Sequence, residues 1–234
     1  MSLFVLCDTH LSLSLNKPMD IFGSRWQNFE EKLRRRWNER VTDADTVVIG
    51  GDISWAMSLN EAKEDFSFIN SLPGKKIFVR GNHDFWWDSL KKMKHFLDSN
   101  SFDTISFLQN DAQEVGGIAI CGTRGWFADA KSAPPGTDYE KLSLREAQRL
   151  EMSIQSAEKN IPGAEINVFL HLPPIFGDCI CEPICSVLSR YEVKRCFYGH
   201  IHGLYEIPQI TCYNGVSYIL TSADYLDFTP YRVD

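Results

Sequence analysis

The sequence predicts an α/β domain, and three observations support this fold class. Short apolar runs of strand length alternate with longer segments whose apolar residues recur at helical spacing. Polar side chains directly follow several of these runs, as they do at the carboxyl ends of strands in α/β proteins. The second half of the chain is richer in strand-like runs than the first. We therefore expect one α/β domain over residues 1–234, with an irregular insertion at 126–142 that could serve as a lid.

The first half of the chain alternates three predicted strands with three predicted helices. Asn60 precedes the second helix and is a candidate N-cap. The segment between the first strand and the first helix is rich in turn-forming residues, so it is predicted to be a loop. The predicted elements are strands at 3–7, 46–49 and 76–80, helices at 25–40, 61–71 and 87–98, and the loop at 11–24.

The second half of the chain contains four predicted strands and two predicted helices. Ser143 and Glu146 have the spacing of a capping box, which predicts the start of a long helix. Asn214 and Gly215 lie between two strand-like segments, which predicts a hairpin. The predicted elements are strands at 104–108, 118–121, 166–170 and 193–198 and helices at 143–159 and 183–191.

Composition and charge restrict the classes of function. The formal net charge of −7 disfavours long nucleic acid as a partner, because its binding depends on many contacts from Lys and Arg to phosphate. The basic run at 32–36 fits a solvated helix face better than a phosphate patch. No apolar run has the length of a membrane span, and the first residues lack the features of a signal peptide. We therefore expect a cytoplasmic protein.

The chain has seven cysteines, and this odd number favours reduced thiols over a disulfide framework. Cys179, Cys181 and Cys185 form one cluster that could hold a structural zinc ion or an iron–sulfur cluster. The cluster lacks the usual pair of cysteines separated by two residues. Buried, unreactive thiols are the alternative interpretation.

Side chains that can bind metals or transfer protons follow the strand-like runs. If these strands are parallel, their carboxyl ends meet at one edge and the side chains converge there. Five of the six histidines, all except His95, lie at such positions. Alternation along an extended segment would place both ligands of an Asp-x-His or His-x-His motif on one face. The candidate residues are Asp8, His10, Asp52, Asn82, His83, His171, His200 and His202.

Carboxylate, amide and imidazole groups together suit Mn, Fe, Zn, Co or Ni better than calcium or magnesium alone. Two such ions, divalent or trivalent and roughly 3.5–4 Å apart, would serve phosphoryl hydrolysis. Each motif by itself also fits a structural role: Gly-Gly-Asp is a common turn, and a single His171 could be a packed histidine. The ordered set, with residues 81–84 at its centre, favours the metal site.

This ordered set of motifs resembles that of the calcineurin-like metallophosphoesterase superfamily, and it extends from residue 8 to residue 202. The resemblance implies a four-layer sandwich of two mixed β-sheets flanked by helices. It also implies that His83 stands over the substrate and either protonates the leaving oxygen or steadies the phosphoryl group. It assigns the ligands to two ions, the first held by Asp8, His10 and His202, the second by Asn82, His171 and His200, and both bridged by Asp52.

The resemblance further implies a binuclear metal-dependent phosphoesterase acting on a small phosphorylated substrate. A hydroxide that bridges the ions would attack a phosphate monoester, diester or pyrophosphate. A nuclease acting on short nucleic acid and a noncatalytic scaffold with the same fold are the alternatives. Trp55 and Ala56 occupy the places where protein phosphatases of the superfamily carry Asp and Arg, which argues against that branch. The sequence makes no prediction of oligomeric state.

Several other residues near the motifs are candidates for supporting roles. Arg80 and Arg124 could bind substrate phosphate, although Arg80 could equally pair with a surface carboxylate. Asp84 could orient His83 or cap the next helix. Tryptophans near the motifs could line a pocket for a flat group or pack in the core. These are Trp55, Trp86, Trp87 and Trp126.

Overall fold

The computed structural model describes residues 1–15 and 17–234, which form five α-helices and thirteen strands. The helices are α1 (Phe29–Asn38), α2 (Lys63–Asn70), α3 (Leu90–Asn100), α4 (Tyr139–Asn160) and α5 (Glu182–Arg190). The strands are β1 (Leu3–Leu6), β2 (Thr46–Gly50), β3 (Lys75–Val79), β4 (Ile105–Phe107), β5 (Ala112–Val115), β6 (Ile118–Thr123), β7 (Glu165–Leu170), β8 (Ile175–Phe176), β9 (Cys179–Ile180), β10 (Arg195–Tyr198), β11 (Ile210–Tyr213), β12 (Val216–Leu220) and β13 (Tyr231–Arg232).

The strands form two large mixed sheets, which confirms the predicted fold class. The first sheet has the order β13-β1-β2-β3-β4, with β1 to β4 parallel and β13 antiparallel at one edge. The second has the order β11-β12-β10-β7-β6-β5, with its four central strands parallel and both edge strands antiparallel. Strands β8 and β9 form a separate hairpin. Parallel pairing brings the carboxyl ends of the central strands to one edge of each sheet.

Helices cover the outer faces of both sheets. Phe4 and Leu6 of β1 pack with Leu33 and Trp37 of α1, whereas Val5 points into an apolar cluster shared with the second sheet. A third cluster joins the second sheet to α4 and α5. Both faces of the central strands are therefore buried, which explains why these strands are continuous apolar runs in the sequence. Truncating a fully buried side chain such as Trp37 to alanine would destabilise the fold by about 3–5 kcal/mol.

The predicted starts of α1 and α2 are wrong, for local reasons. Helix α1 begins only after Asn28, whose left-handed backbone (φ 49°) separates it from a preceding 3-10 turn. The turn before α2 is organised by Ser58 rather than by Asn60. The hydroxyl of Ser58 accepts a hydrogen bond from the amide of Glu61 (3.4 Å), and the Glu61 carboxylate accepts one from the amide of Met57 (2.8 Å).

Helix α4, in contrast to α1 and α2, begins earlier than predicted, at Tyr139 rather than Ser143. Its cap is Asp138, whose side chain accepts a hydrogen bond from the amide of Lys141 at 3.1 Å. The predicted capping box is wrong, because Glu146 is fully buried and faces β6 instead of the helix start. The first residues of the helix therefore fall inside the segment that the sequence predicts to be irregular.

Four short strands were not predicted from the sequence. Strand β5 is polar, and β8, β9 and β13 have two residues each, so none forms a distinct apolar run. The predicted loop at 11–24 contains a 3-10 turn at Asp20–Phe22, and Asn16 within it lies outside the described residues. No helix in the described part of the chain has both the length and the apolar character needed to cross a membrane.

Candidate metal centre

Side chains from five strand ends converge where the carboxyl edges of the two sheets meet. Two groups of ligand atoms form there, and within each group the atoms lie within 4.8 Å of one another. Backbone hydrogen bonds hold the loops together: the Asp8 amide donates to Gly51 O and the Gly199 amide to His171 O. The first group is Asp8, His10 and His202, and the second is Asp52, His171 and His200.

The backbone at these positions is strained. Four candidate ligands have left-handed backbone dihedrals, a region that residues other than glycine rarely adopt. The extended conformation expected for the Asp-x-His and His-x-His motifs is therefore wrong, although their side chains do meet. Such strain amounts to about 1–3 kcal/mol per residue and is typical of functional sites. The four residues are Asp8 (φ 62°), His10 (φ 44°), Asp52 (φ 48°) and His200 (φ 70°).

Two glycines allow the loops to approach one another this closely. A Cβ atom on Gly81 would collide with the backbone and the carboxylate of Asp52, and one on Gly199 would collide with Asp8 and Cys7. Gly81 is absent from the residues with positive φ, so it serves close approach rather than an unusual turn. Any larger residue at either position would push a candidate ligand away.

The first ligand group is held from behind by a carboxylate that the sequence analysis missed. His202 Nε2 lies 3.6 Å from Asp8 Oδ1 and 3.3 Å from His10 Nε2. Its other ring nitrogen, Nδ1, lies 2.8 Å from Oδ1 of Asp224, which is fully buried. A carboxylate in this position fixes the ring orientation and tautomer of a metal-binding histidine. Asp224 follows β12, just as the candidate ligands follow their strands, and this position could have identified it from the sequence.

The second ligand group is built around His171. Its Nε2 atom lies 2.7 Å from Asn82 Oδ1 and 3.3 Å from Asp52 Oδ2, while Nδ1 lies 3.2 Å from Gly50 O. Asn82 therefore contacts a member of this group. The ring centroid of His200 is 5.2 Å from that of His171.

Asp52, a member of the second group, also faces the first group. Its Oδ2 atom is 3.3 Å from His171 Nε2 and 3.8 Å from His10 Nε2, so one oxygen faces a histidine of each group. Its Oδ1 atom accepts a hydrogen bond from the backbone amide of His83 at 2.7 Å. This position is the one expected for a carboxylate shared by two ions.

His83 lies beside the ligands without being one of either group. Its ring centroid is 6.0 Å from that of His10 and 4.6 Å from that of Trp55. Asp84 neither orients this ring nor caps α3. The Asp84 carboxylate accepts hydrogen bonds from the amides of Gly81 (2.7 Å) and Ile53 (2.8 Å), and so ties two loops of the site together.

The carboxylates of Asp52 and Asp8 favour the protonated forms of two neighbouring imidazoles, those of His171 and His202. Burial alone would lower the pKa of His171 and of His202, but Asp52 and Asp8 outweigh burial and raise these pKa values to about 9 and about 10, respectively. Burial lowers the pKa of His10 and that of His200, each to about 4. A cation bound here would displace the protons of the first pair, so its binding should strengthen as pH rises.

The donor set fits a pair of borderline metal ions. Asp8 Oδ1 and His10 Nδ1 are buried and have no hydrogen-bond partner among the described residues. An unpaired carboxylate oxygen is unfavourable in the interior unless a cation or a donor faces it. The neighbouring nitrogen and oxygen atoms are of the kinds that Mn, Fe, Zn, Co and Ni accept.

An apolar pocket opens directly onto the ligands. Met19, Phe22, Trp26 and Trp55 line it together with His83 and four of the candidate ligands, His10, Asp52, His200 and His202. The indole of Trp55 stacks on the ring of His10, with centroids 4.9 Å apart and an angle of 24° between the planes. Phe22 is 58% exposed and lies at the rim. Of these four residues only Trp55 was a candidate from the sequence. Met19 and Phe22 lie in the predicted loop at 11–24, and Trp26 lies in the predicted helix at 25–40.

The remaining candidates have other surroundings. Trp86 and Trp126 are buried in the cores, and Trp87 packs against Phe107. Arg124 contacts Glu146, and Arg80 forms no ion pair with any described carboxylate. The three clustered cysteines belong to neither ligand group, and two of them are buried thiols.

Comparison with known proteins places these features in one family. The sequence model described as "Calcineurin-like phosphoesterase" matches residues 1–204. An uncharacterised protein of Methanocaldococcus jannaschii is 28% identical over 98 residues, which is 40% of this chain and 52% of that protein. An uncharacterised metallophosphoesterase of Helicobacter pylori is 26% identical over 123 residues, 52% of this chain and 31% of that protein. The chain thus spans about half or less of the length of these relatives.

A solved structure supports the fold assignment. A protein of unknown function from Aquifex aeolicus superposes with a TM-score of 0.53 at 19% identity, over 99% of this chain and 95% of the other. At this level of identity the similarity establishes the architecture alone. The motif residues and the family match carry the rest.

Proposed function

This chain belongs to the calcineurin-like phosphoesterase family, and from that membership we propose that it hydrolyses phosphate esters with two bound metal ions. The observation that carries the proposal is the position of Asp52, one oxygen of which faces both ligand groups. A carboxylate so placed can join two ions into one centre. The first ion would be held by Asp8, His10 and His202, and the second by Asn82, His171 and His200.

Each ion, when bound, would lower the pKa of a water molecule to roughly 7 and neutralise negative charge on the phosphate. The protein residues supply position and protons. Asp224 holds the ring of His202, and Asp52 Oδ1 holds the backbone of His83. These contacts keep the ligands in place before the substrate arrives, so little reorganisation is needed during the reaction.

His83 is the proposed acid for the leaving oxygen. Its ring lines the pocket beside the ligands, where an ester oxygen of a bound phosphate would lie. Because the ring is ionisable, it can donate a proton to that oxygen. Burial lowers the pKa of His83, and the carboxylate of Asp52 opposes this effect. A phosphate dianion beside the ring would act in the same direction as Asp52: it would raise the pKa of His83 and so favour the protonated form in the complex.

The proposed substrate is a small phosphorylated molecule. The wall of Met19, Phe22, Trp26 and Trp55 offers an apolar surface directly beside the reacting phosphate. An alcohol with an apolar or flat group would bury area against this wall, at about 25 cal/mol per Å². Esters with such leaving groups should therefore be better substrates than esters of small polar alcohols.

A metal-dependent assay with matched histidine variants tests the proposal. The purified chain should hydrolyse a chromogenic phosphate monoester or diester after addition of Mn²⁺, and a chelator should abolish that activity. His83→Ala should lower the rate by about 10²–10⁴-fold. The matched control is His95→Ala, since His95 is exposed on α3 and should leave the rate unchanged.

Elemental analysis after metal loading should give two ions per chain. Activity that persists in excess chelator would refute metal dependence. Full activity of His83→Ala would refute the acid role. One ion per chain, or none, would refute the binuclear centre.

A further inference from the structure

A second polar pocket lies next to the metal centre, at the same edge of the two sheets. Arg80 follows β3 and Arg124 follows β6, and these strands pair with β2 and β7, which lead to Asp52 and His171. The carbonyl of Arg124 accepts a hydrogen bond from the amide of His171 at 3.2 Å. In the first sheet the pocket therefore begins on the strand that leads to Asn82, and in the second sheet it begins one strand from His171.

This pocket is strongly basic although the whole chain is acidic. Its cavity volume is about 80 Å³. Three guanidinium groups and one carboxylate line it, which leaves an excess of two positive charges. Neutral polar residues such as Gln109 and Asn110 complete part of the wall. A concave surface with such a charge excess attracts anions even when the net charge of the protein is negative.

The single carboxylate, that of Glu146, accepts hydrogen bonds through both of its oxygens. Its Oε2 atom accepts a hydrogen bond from Thr123 at 2.7 Å. Its Oε1 atom accepts from Arg149 at 2.7 Å and from Arg124 at 3.4 Å. Glu146 thus anchors two arginines through one oxygen and cannot neutralise both.

Two of the arginines retain unused donors. The Nε atom of Arg124 is buried without a hydrogen-bond partner among the described residues. Arg80 is exposed and forms no hydrogen bond or ion pair from its side chain in the described part of the chain. A buried unpaired donor is unfavourable, and an anionic oxygen in the pocket would satisfy it.

We propose that this pocket, formed by Arg80, Arg124 and Arg149, is a subsite for a second phosphate group of the substrate. The inference rests on the proposed function, because it takes the first phosphate to be the one at the metal centre. Planar guanidinium groups bind phosphate oxygens in pairs. Three of them together with the one carboxylate leave two positive charges, which match the charge of a phosphate dianion. The favoured substrates would therefore be small molecules with two phosphate groups.

Paired substrates test this subsite. Alkanediols of increasing chain length can be prepared with one phosphate or with a phosphate at each end. Release of inorganic phosphate then gives kcat/KM for both members of each pair. In the wild type the bisphosphate should be preferred at a chain length that spans the two sites. In Arg149→Ala the ratio of the two kcat/KM values should fall by about tenfold or more.

Arg145→Ala is the matched control. Arg145 is on the same helix, at 4.0 Å from Glu146, but it is not part of the pocket lining. Its replacement should leave the ratio at the wild-type value. Arg80→Ala provides a second variant if Arg149→Ala folds poorly, because Arg80 is exposed. An unchanged ratio in Arg149→Ala and Arg80→Ala, or an equal fall in Arg145→Ala, would overturn the subsite.

A binding measurement separates this inference from the proposed function. Calorimetry with inorganic pyrophosphate, on the full chain in excess chelator, needs no turnover. Pyrophosphate should bind the wild type and Arg145→Ala equally, and Arg149→Ala about tenfold more weakly. If no phosphate ester is hydrolysed with any metal but this pattern holds, the proposed function fails and the anion site stands. If hydrolysis occurs and pyrophosphate binding is equal in all three proteins, the subsite fails.

Discussion

Strand β3 has a buried lysine near its amino end and the pair Asn82 and His83 beyond its carboxyl end, so it joins two kinds of polar site. At the amino edge of the sheet, Lys76 donates to Leu72 O and to the hydroxyl of Thr104. Nearby, both oxygens of Asp45 accept hydrogen bonds, at 2.6–2.8 Å. At the carboxyl edge, Asp8 and His10 keep buried atoms without partners.

The difference separates structural from functional burial of charge. Asp45 and Asp52 are both buried carboxylates beside β2, so burial alone does not distinguish them. Asp45 accepts its hydrogen bonds from the amide and hydroxyl of Thr42 and from the amide of Ser2, so both of its oxygens are paired. The neighbours of Asp52 include histidines from several strands, held by strained backbone around a common point. Candidate ligands that converge on one point, while buried atoms of Asp8 and His10 lack hydrogen-bond partners, indicate a site for an external ligand.

The largest expected effect comes from exchanging the two carboxylates for amides. Asp52→Asn should lower phosphate-ester hydrolysis by about 10²–10³-fold or more, because both proposed ions lose a shared charge. Asp45→Asn is the control: it should lower the free energy of unfolding by about 1–3 kcal/mol and leave the rate per folded molecule unchanged. Rates and denaturant unfolding curves check both. Equal rate losses in the two variants would refute the distinction between a functional Asp52 and a structural Asp45.

A smaller effect is expected one contact further from the centre. Asp224→Asn keeps the shape of the side chain but removes the charge that faces His202, and its amide hydrogens would meet the amide of Gly203 or the hydroxyl of Tyr205. Metal affinity should fall by about 10–100-fold, as measured by titration with a metal indicator.

Asp227→Asn is the control for that titration, since Asp227 is a surface carboxylate paired with Arg36. It should retain wild-type affinity. Unchanged affinity in Asp224→Asn would show that this carboxylate has no orienting role.

The smallest effect concerns the amino edge and its pH dependence. Burial lowers the pKa of Lys76 from its ordinary 10.5 to about 8. Below pH 8 both folded and unfolded chains carry the proton, and the cost of a buried charge is fully present. Between pH 8 and 10.5 the unfolded chain binds more protons, so this lysine makes stability rise with pH, by at most about 3 kcal/mol.

Lys76→Met should remove that rise. Unfolding free energies of both proteins across this pH range measure it as their difference, in which the other titrating groups cancel. Identical pH profiles would mean that the folded lysine keeps its ordinary pKa. Metal-dependent hydrolysis per folded molecule should be the same in both proteins, because Lys76 lies at the edge opposite to the site.

Much of the fold and of the candidate site was predictable because the signals are local. A fully buried strand needs a continuous apolar run, and the central strands β2, β3 and β7 have one. Ligands must follow such strands closely to reach the shared edge, so their spacing from the strand ends is short. The acidic–imidazole character of the set also follows from residue types alone.

The errors arose where a side chain serves a distant partner instead of its neighbours. Glu146 has the spacing of a cap, but it faces Thr123 and the arginines across the second sheet. Gly81 resembles a turn glycine, but its lack of a side chain makes room for Asp52. Asp84 resembles a cap or a catalytic partner, but it ties two loops together.

The α/β class, the candidate ligands and the chemistry that they could support can be read from the amino-acid order, because each depends on residue type and on spacing along a strand. The tertiary structure alone decided which oxygen faces both ligand groups, that Asp224 holds His202, and that Arg80, Arg124 and Arg149 surround one pocket. These relations join residues from different strands and helices. They depend on how two sheets are stacked and how closely their loops approach, and no local pattern encodes that geometry.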